Sequence, residues 1–272
     1  MMSTLSPIKL KKCCSELTAE EIIDALLEGA REELLLTPKP GLVDIYDSGS
    51  HDDLDYSMMC KSIGLLRPYL EELAYEMKRG TTLHEARETG VVAEHKMIDE
   101  CGTNTHKGYI FLSGLFLISA LSREKARDGI KDIAEALFED LPSGTKGAIA
   151  RKEFGVGGII KEALEGFPAV FDDALPAFRE KFAETGCRQT ASILAMARLM
   201  QTIEDTTALH RCGKEGLKSL RADGKRIEKL IRKGKPVHGF LFELNEKYKR
   251  MNLTMGGVAD MLALTFALDK MI

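Results

Sequence analysis

One spacing governs what this chain can become. Apolar residues recur three and four positions apart along almost its whole length, and no stretch alternates β-branched with polar residues between turn signals. That pattern predicts an all-α fold. Thr18 with Glu21 is a capping box, and Ile22, Ile23, Leu26, Leu27, Leu34 and Leu35 follow at helical spacing up to Leu36. "TPKPG" then ends the helix, because two prolines and a glycine in five residues cannot continue it, so 37–49 is expected as an ordered surface loop. Helices are expected again over 51–78, 82–100 (opened by a second capping box, Thr82 with Glu85), 104–121, 123–139, 143–153, 158–165, 170–182, 187–210, 214–233, 237–250 and 257–270. The longest apolar run, Tyr109 to Leu121, reads as a central buried helix, well short of the ~20 residues that span a bilayer.

At 272 residues the chain lies only slightly beyond the size at which one core stops growing. Its loops are short and polar, with no low-complexity linker and no internal repeat, so a single helical domain over 1–272 is expected. Thirty-eight basic against forty-two acidic residues leave a net charge of -4, which gives no global field for a nucleic-acid backbone or an anionic membrane. Any phosphate site must be local. The basic segment from Lys214 to Lys235 reads as a solvated helical face. Six cysteines without a C-x-x-C pair fit reduced, mostly buried thiols of a cytoplasmic protein, and "MMSTLSPIKLKKCCSEL" lacks the apolar core of a secretory signal.

Two phosphate-loop candidates fail. "GVGGII" has neither the last glycine nor a preceding strand, and "CGKEG" puts Glu215 where serine or threonine is required. "GSHDDLDYSMM" is more promising. If it opens a helix, His51, Asp52 and Asp55 share a face, and carboxylates so placed, with Asp53, suit a hard cation such as Mg²⁺ that bridges phosphate oxygens; capping of the helix start is the alternative. In "IEDTTALHR", Glu204 and Thr207 share one face, as do Thr207, His210 and Arg211, which suits a second metal-and-phosphate contact or a satisfied helix end.

Asn104 or Thr105 can cap the apolar helix that follows "GTNTHKG". His106 and Lys107 in its first turn would then oppose the helix dipole unless an anion sits there, held by free N–H groups and both side chains, with Gly102 and Gly108 admitting it close to the backbone.

In this order, "TPKPGLVD", "GSHDDLD", "GTNTHKGYIF", "EALEGFP", "EDTTALHRCG" and "MGGVADMLALTFAL" resemble the triphosphoribosyl-dephospho-CoA synthase family, which serves citrate lyase and malonate decarboxylase. The resemblance implies an all-α enzyme joining ATP, with Mg²⁺, to 3'-dephospho-CoA. Adenine leaves, and the product goes to a separate transferase acting on an acyl carrier subunit. Carried across, the family pattern singles out Lys39, Asp44, His51, Asp53, Asp55, Asn104, His106, Lys107, Glu162, Asp205, His210, Arg211 and Asp260. Where that pattern reads arginine then glycine before "EA", this chain has Ile160 and Lys161, which turns a basic group by about 100°.

On this reading Asp55, oriented by His51, is the base that activates the acceptor hydroxyl. Asp52, Asp53, Glu204 and Asp205 are metal candidates. Lys39, His106, Lys107 and Arg211 neutralise the triphosphate, while Asp44, Asn104, Glu162, His210 and Asp260 complete the substrate contacts. A homodimer is left open. Two other classes use the same residues: a metal-dependent all-α hydrolase of an N-ribosyl or phosphate-ester bond, and a nucleotide-binding protein without catalysis.

Overall fold

The computed structural model describes residues 17–103, 105–122, 126–138, 155 and 157–271. The expected helix over 143–153 and the candidate Asn104 lie outside them. Eleven α-helices are described: α1 (Ala19–Leu35), α2 (Tyr56–Lys78), α3 (Leu83–Cys101), α4 (Lys107–Leu121), α5 (Ala126–Phe138), α6 (Gly158–Leu164), α7 (Leu175–Thr185), α8 (Arg188–Thr202), α9 (Thr206–Arg232), α10 (His238–Met251) and α11 (Gly256–Met271). No strand occurs among the described residues. The all-α expectation therefore holds.

Local chemistry sets most boundaries. Both capping boxes form, Thr18 with Glu21 and Thr82 with Glu85, and α3 ends on Gly102 in the left-handed region. Helix α4 is buried on every side from Tyr109 to Ala120 except at Phe111, as expected for a helix with no polar stripe, and α11 is nearly as enclosed. These two helices form the centre. Against them pack α1, chiefly on α11, and α2, chiefly on α4 and α3, while α7, α8 and α9 stack on the other side of α11. One continuous apolar cluster runs from Ile22 to Met271.

Three boundaries differ from expectation. Helix α2 begins at Tyr56, because the Asp55 carboxylate accepts the Met58 N–H as an N-cap, so His51, Asp52, Asp53 and Asp55 lie on an irregular loop and share no helical face. The expected helix over 187–210 breaks at Ile203–Asp205, where Asp205 caps a new helix, and α9 then kinks at Gly213 (φ 62°). The segment expected from 170 opens with a π-helical stretch, Ala169–Ala174, that feeds α7. The cysteines also differ in part. Among the described residues Cys101 is buried, Cys212 is half-buried, and Cys60 and Cys187 are exposed, and all four are free thiols. No described helix is long and apolar enough to cross a membrane.

Candidate functional site

A cavity of about 210 Å³ opens between α1, the loop before α2, and the N-termini of α4, α9 and α11. Glu33, His51, Thr105, His106, Gly108 and Asp260 are among the residues that line it. Each is placed by a specific local device.

Glu33 lies on the inward face of α1, in register with Ile22, Leu26 and Ala30. Lys39, from the Pro-flanked loop, reaches it: Nζ donates to Glu33 Oε1 at 2.6 Å, with the lysine side chain only 1% exposed and the glutamate 6%. Burial raises the Glu33 carboxyl above its ordinary range, and the ammonium opposes that shift without cancelling it. Asp44, expected as a substrate contact, is instead spent on the loop. Its Oδ2 accepts from Thr37 Oγ1 (2.6 Å), and its Oδ1 accepts the N–H groups of Tyr46 (2.8 Å) and Asp47 (3.0 Å). It is the knot that holds Lys39 in place.

The N-terminus of α4 is a polar junction. His106 is the N-cap residue but gives no side-chain cap, since its Nδ1 lies 2.6 Å from Ser62 Oγ. That hydroxyl donates to Met59 O at 2.9 Å, so Nδ1 carries the proton given to Ser62 and Nε2 is left as an acceptor. Burial, with Lys39 nearby, lowers the imidazole pKa to about 4, so the ring is neutral at physiological pH. Lys107 borders the cavity, with its half-exposed side chain paired to Glu94 (2.5 Å). The expected pair of cations at this helix start is thus one neutral ring and one paired surface ammonium. The helix start nevertheless meets an acid, supplied by the protein: Asp260 lies so close to Gly108 that a Cβ there would overlap Oδ2, and the Tyr109 N–H is hydrogen-bonded to its carboxyl group. Burial, then the fields of Glu33 and Asp205, nonetheless raise the Asp260 carboxyl well above its ordinary range. Thr105 Oγ1 is buried with no partner among the described residues.

His51 is fixed from two sides. Arg211 Nη2 lies 3.4 Å from Nδ1, and Nε2 lies 2.9 Å from Thr254 Oγ1. A guanidinium can only donate, so Nδ1 accepts and Nε2–H faces the threonine. Burial and the Arg211 charge lower this ring to about 4 as well. Arg211 itself ties the loop down, donating to Ser50 O (2.5 Å) and Asn252 Oδ1 (2.9 Å), which is a positioning role and not a free phosphate contact.

The remaining candidates do not converge on the cavity. Asp52, Asp53 and Asp55 are exposed, Asp55 as the α2 cap and Asp53 accepting from Thr103 Oγ1 (3.2 Å) and standing 3.8 Å from His51. Asp205 is fully buried, but its oxygens are used by the N–H groups of Thr207 (2.9 Å), Ala208 (2.9 Å) and Val258 (3.0 Å), so it caps α9 and binds the start of α11. Glu204 takes the Gly157 N–H at 2.8 Å and faces Lys161 at 3.8 Å. Glu162 takes the Ala169 N–H at 3.0 Å, and burial raises its carboxyl. His210 is exposed. The four metal candidates are therefore two exposed acids, one helix cap (Asp205) and one acid engaged by the Gly157 N–H (Glu204), and no group of three or more His, Cys, Asp or Glu suited to a metal ion occurs among the described residues. They do not fit a resident Mg²⁺.

Glu33, Ser62 and Thr254 are not among the sequence candidates, and Thr105, expected as a cap of α4, does not cap it, since His106 is the N-cap residue. Only Glu33 carried a usable signal: an acid on an apolar helical face.

The geometry is thus a partly open pocket with a buried acid, a neutral imidazole acceptor and a loop held by the Lys39–Glu33 ion pair and internal hydrogen bonds. No solved structure matches the chain. At the sequence level it is 31% identical, over 96% of its length and 93% of the relative's, to the probable 2-(5''-triphosphoribosyl)-3'-dephosphocoenzyme-A synthase of Pseudomonas aeruginosa (strain UCBPP-PA14). It is 34% identical to the probable synthase of that name from Azotobacter vinelandii, over 93% of this chain and 92% of the relative, and 32% identical to one from Klebsiella pneumoniae, over 99% of both. A family model described as CitG, ATP:dephospho-CoA triphosphoribosyl transferase, matches residues 19–272, every described helix included. The cavity thus lies within the matched region, and the chain belongs to the CitG family of ATP:dephospho-CoA triphosphoribosyl transferases.

Proposed function

We propose that the chain transfers the triphosphoribosyl group of ATP to the 2'-hydroxyl of 3'-dephospho-CoA and releases adenine, and that the cavity at the α4 N-terminus is where the two meet. The observation that carries the site is Asp260. Its carboxyl is pressed against Gly108, in the field of Glu33, and burial favours its protonated form.

Breaking the bond between adenine and the ribose carbon leaves an oxocarbenium-like centre, and the departing base needs a proton. Asp260 is placed to donate it, because burial and the neighbouring acids raise its carboxyl well above the ordinary range, toward the form that serves as a general acid. The incoming hydroxyl becomes strongly acidic only once its oxygen bonds to that centre, so a weak base is sufficient. His106 Nε2, a neutral acceptor, takes this proton. These roles replace Asp55 as the base, since Asp55 is an exposed cap. His51 and Arg211 position the loop, and Lys39 holds Glu33. Mg²⁺ arrives as part of the MgATP substrate. The product is consumed by a transferase that loads an acyl carrier subunit of citrate lyase or malonate decarboxylase, in the cytoplasm where ATP and CoA precursors are found.

The test is to incubate the full chain with MgATP, 3'-dephospho-CoA or both, and to follow adenine and the acceptor's mass. Adenine and the mass-shifted acceptor should form in equal amounts, and only with both substrates. Adenine released from ATP alone would make the protein a hydrolase, and no adenine under any condition would make it a binding protein.

A further inference from the structure

A second, more open cavity, of about 490 Å³, lies along α9, where Lys214, Lys218 and Lys225 are exposed and Arg221 is half-buried. Its wall carries Lys214, Lys218, Arg221 and Lys225 over the apolar side chains of Leu209 and Leu217. Steps of four, three and four residues put all four cations on one face of the helix, where neighbouring like charges repel. The acids of α9 do not relieve them. Asp223 accepts from Lys247 (2.8 Å) and Tyr248 (3.2 Å), and Glu228 from Gln201 (2.8 Å), Arg232 (2.8 Å) and Arg198 (3.1 Å). Glu215 meets Lys218 only at 3.6 Å between two exposed side chains. The Glu204 carboxylate, at the cavity's end, is used by the Gly157 N–H. Among the described residues Lys214, Arg221 and Lys225 have no ion pair, and Arg221 Nε is buried with no acceptor at all. A guanidinium N–H shut away from water calls for an acceptor beyond the described residues.

We propose that this cavity is a polyphosphate seat, in which the Arg221 guanidinium and the three lysines grip the phosphate chain of a substrate. The expectation that Lys214 to Lys235 is only a solvated face is thereby narrowed to the part of the segment that turns away from the cavity. The inference rests on the proposed transferase reading for the identity of its ligands. Both substrates carry the required chemistry, a triphosphate in ATP and a diphosphate in 3'-dephospho-CoA. Arginine suits such a seat because its planar fork matches phosphate oxygens in pairs.

The test is calorimetric titration of inorganic tripolyphosphate into the full chain, into an Arg221→Gln/Lys218→Gln variant, into a Lys214→Gln/Lys225→Gln variant, and into Lys229→Gln, an exposed control on the same helix outside the cavity. Each cavity variant should weaken binding about tenfold or more, with affinity falling steeply as salt rises, while the control matches the parent. The lysine-only variant keeps the test valid should the Arg221 change disturb folding. Steady-state arms then separate the sources. A raised KM for ATP alone assigns the triphosphate, and a raised KM for 3'-dephospho-CoA alone assigns the diphosphate. A rise in both means the seat is shared. Tripolyphosphate isotherms that are indistinguishable between parent and both cavity variants, or equally weakened in the control, would overturn the proposal. If tripolyphosphate binding responds as described but no adenine is ever released, the seat stands and the transferase reading fails; the reverse pattern fails the seat alone.

Discussion

His106 offers the sharpest quantitative check on the site, because its environment makes a prediction about pH that no surface residue shares. Its ring titrates near 6.5 when unfolded and near 4 in the fold, since burial and Lys39 disfavour the charged form. Between those values the unfolded chain takes up a proton that the native protein refuses. Stability changes with pH as the protons bound by the unfolded state minus those bound by the native state, so it falls as pH falls through this window, by up to ~1.4 kcal/mol per pH unit. From about pH 7 to about pH 5 the loss from this one ring comes to about 2 kcal/mol. The total slope of the protein is a poor readout. The raised carboxyls of Glu33, Asp205 and Asp260 act in the opposite sense, retaining protons that the unfolded chain releases, and so add stability as pH falls. His51, lowered to about 4, adds a second loss of the same sign as His106. The clean perturbation is therefore His106→Asn, whose amide N–H can still donate to Ser62 Oγ in place of Nδ1 while removing the titration. Urea unfolding of parent and variant across this range should give stability curves that converge by about 2 kcal/mol toward acid, the parent losing what the variant keeps. Parallel curves would refute the claim that this ring is buried and neutral.

Three further outcomes follow from the same geometry. Gly108→Ala drives a methyl into the Asp260 carboxyl; it should cost about 1–3 kcal/mol in urea unfolding, and adenine release should fall far more than the folded fraction does, whereas parental turnover would remove Asp260 from the reaction. Lys39→Met leaves Glu33 buried without its ammonium and should cost about 3–5 kcal/mol, most of it restored by adding Glu33→Leu; a fully additive double variant would deny the coupling. Asp55→Asn keeps the N-cap and should retain both stability and turnover, while Asp55→Ala loses about 1 kcal/mol; loss of turnover in the asparagine variant would return Asp55 to the chemistry.

What could be read from the sequence divides by range. The helices α1 and α3 begin where their capping boxes stand, because a Thr and a Glu three residues on satisfy each other's backbone without help from elsewhere. The all-round apolar run of α4 announced its burial for the same local reason. The start of α2 lies later than its pattern suggests because Asp55 caps it and residues 50 and 51 are held by Arg211 and Thr254, 161 and 203 positions away, a grip that no local pattern encodes. Acid-rich "HDDLD" drew attention by charge density, yet density favours the surface, where such groups stay hydrated. Glu33 and Asp260, single acids within apolar stretches, were the more telling positions. Asp260 was named only as one of several family positions, and Glu33 was passed over.

Those two acids also explain what pushes a carboxyl in the pocket toward its protonated form. Helices α1 and α11 pack so closely that a side chain at Gly29 would collide with the backbone of Ala263 and with Ala267, and this approach brings Glu33 and Asp260 into each other's field. Two carboxyls shut away from water cannot both remain charged without compensation. Lys39 supplies one positive charge, held within 2.6 Å of Glu33 by the Asp44-tied loop, and no second cation is ion-paired to Asp260 among the described residues. The Tyr109 N–H supplies only a partial dipole, too little to offset burial plus a neighbouring acid. With one ammonium for two carboxyls, the remaining neutralisation is a proton, and it resides chiefly on the acid that Lys39 does not reach. Removing Glu33 by Glu33→Gln should therefore lower the Asp260 pKa and shift the upper limb of the pH–rate profile for adenine release toward acid; an unmoved limb would mean that the proton on Asp260 is set by burial alone.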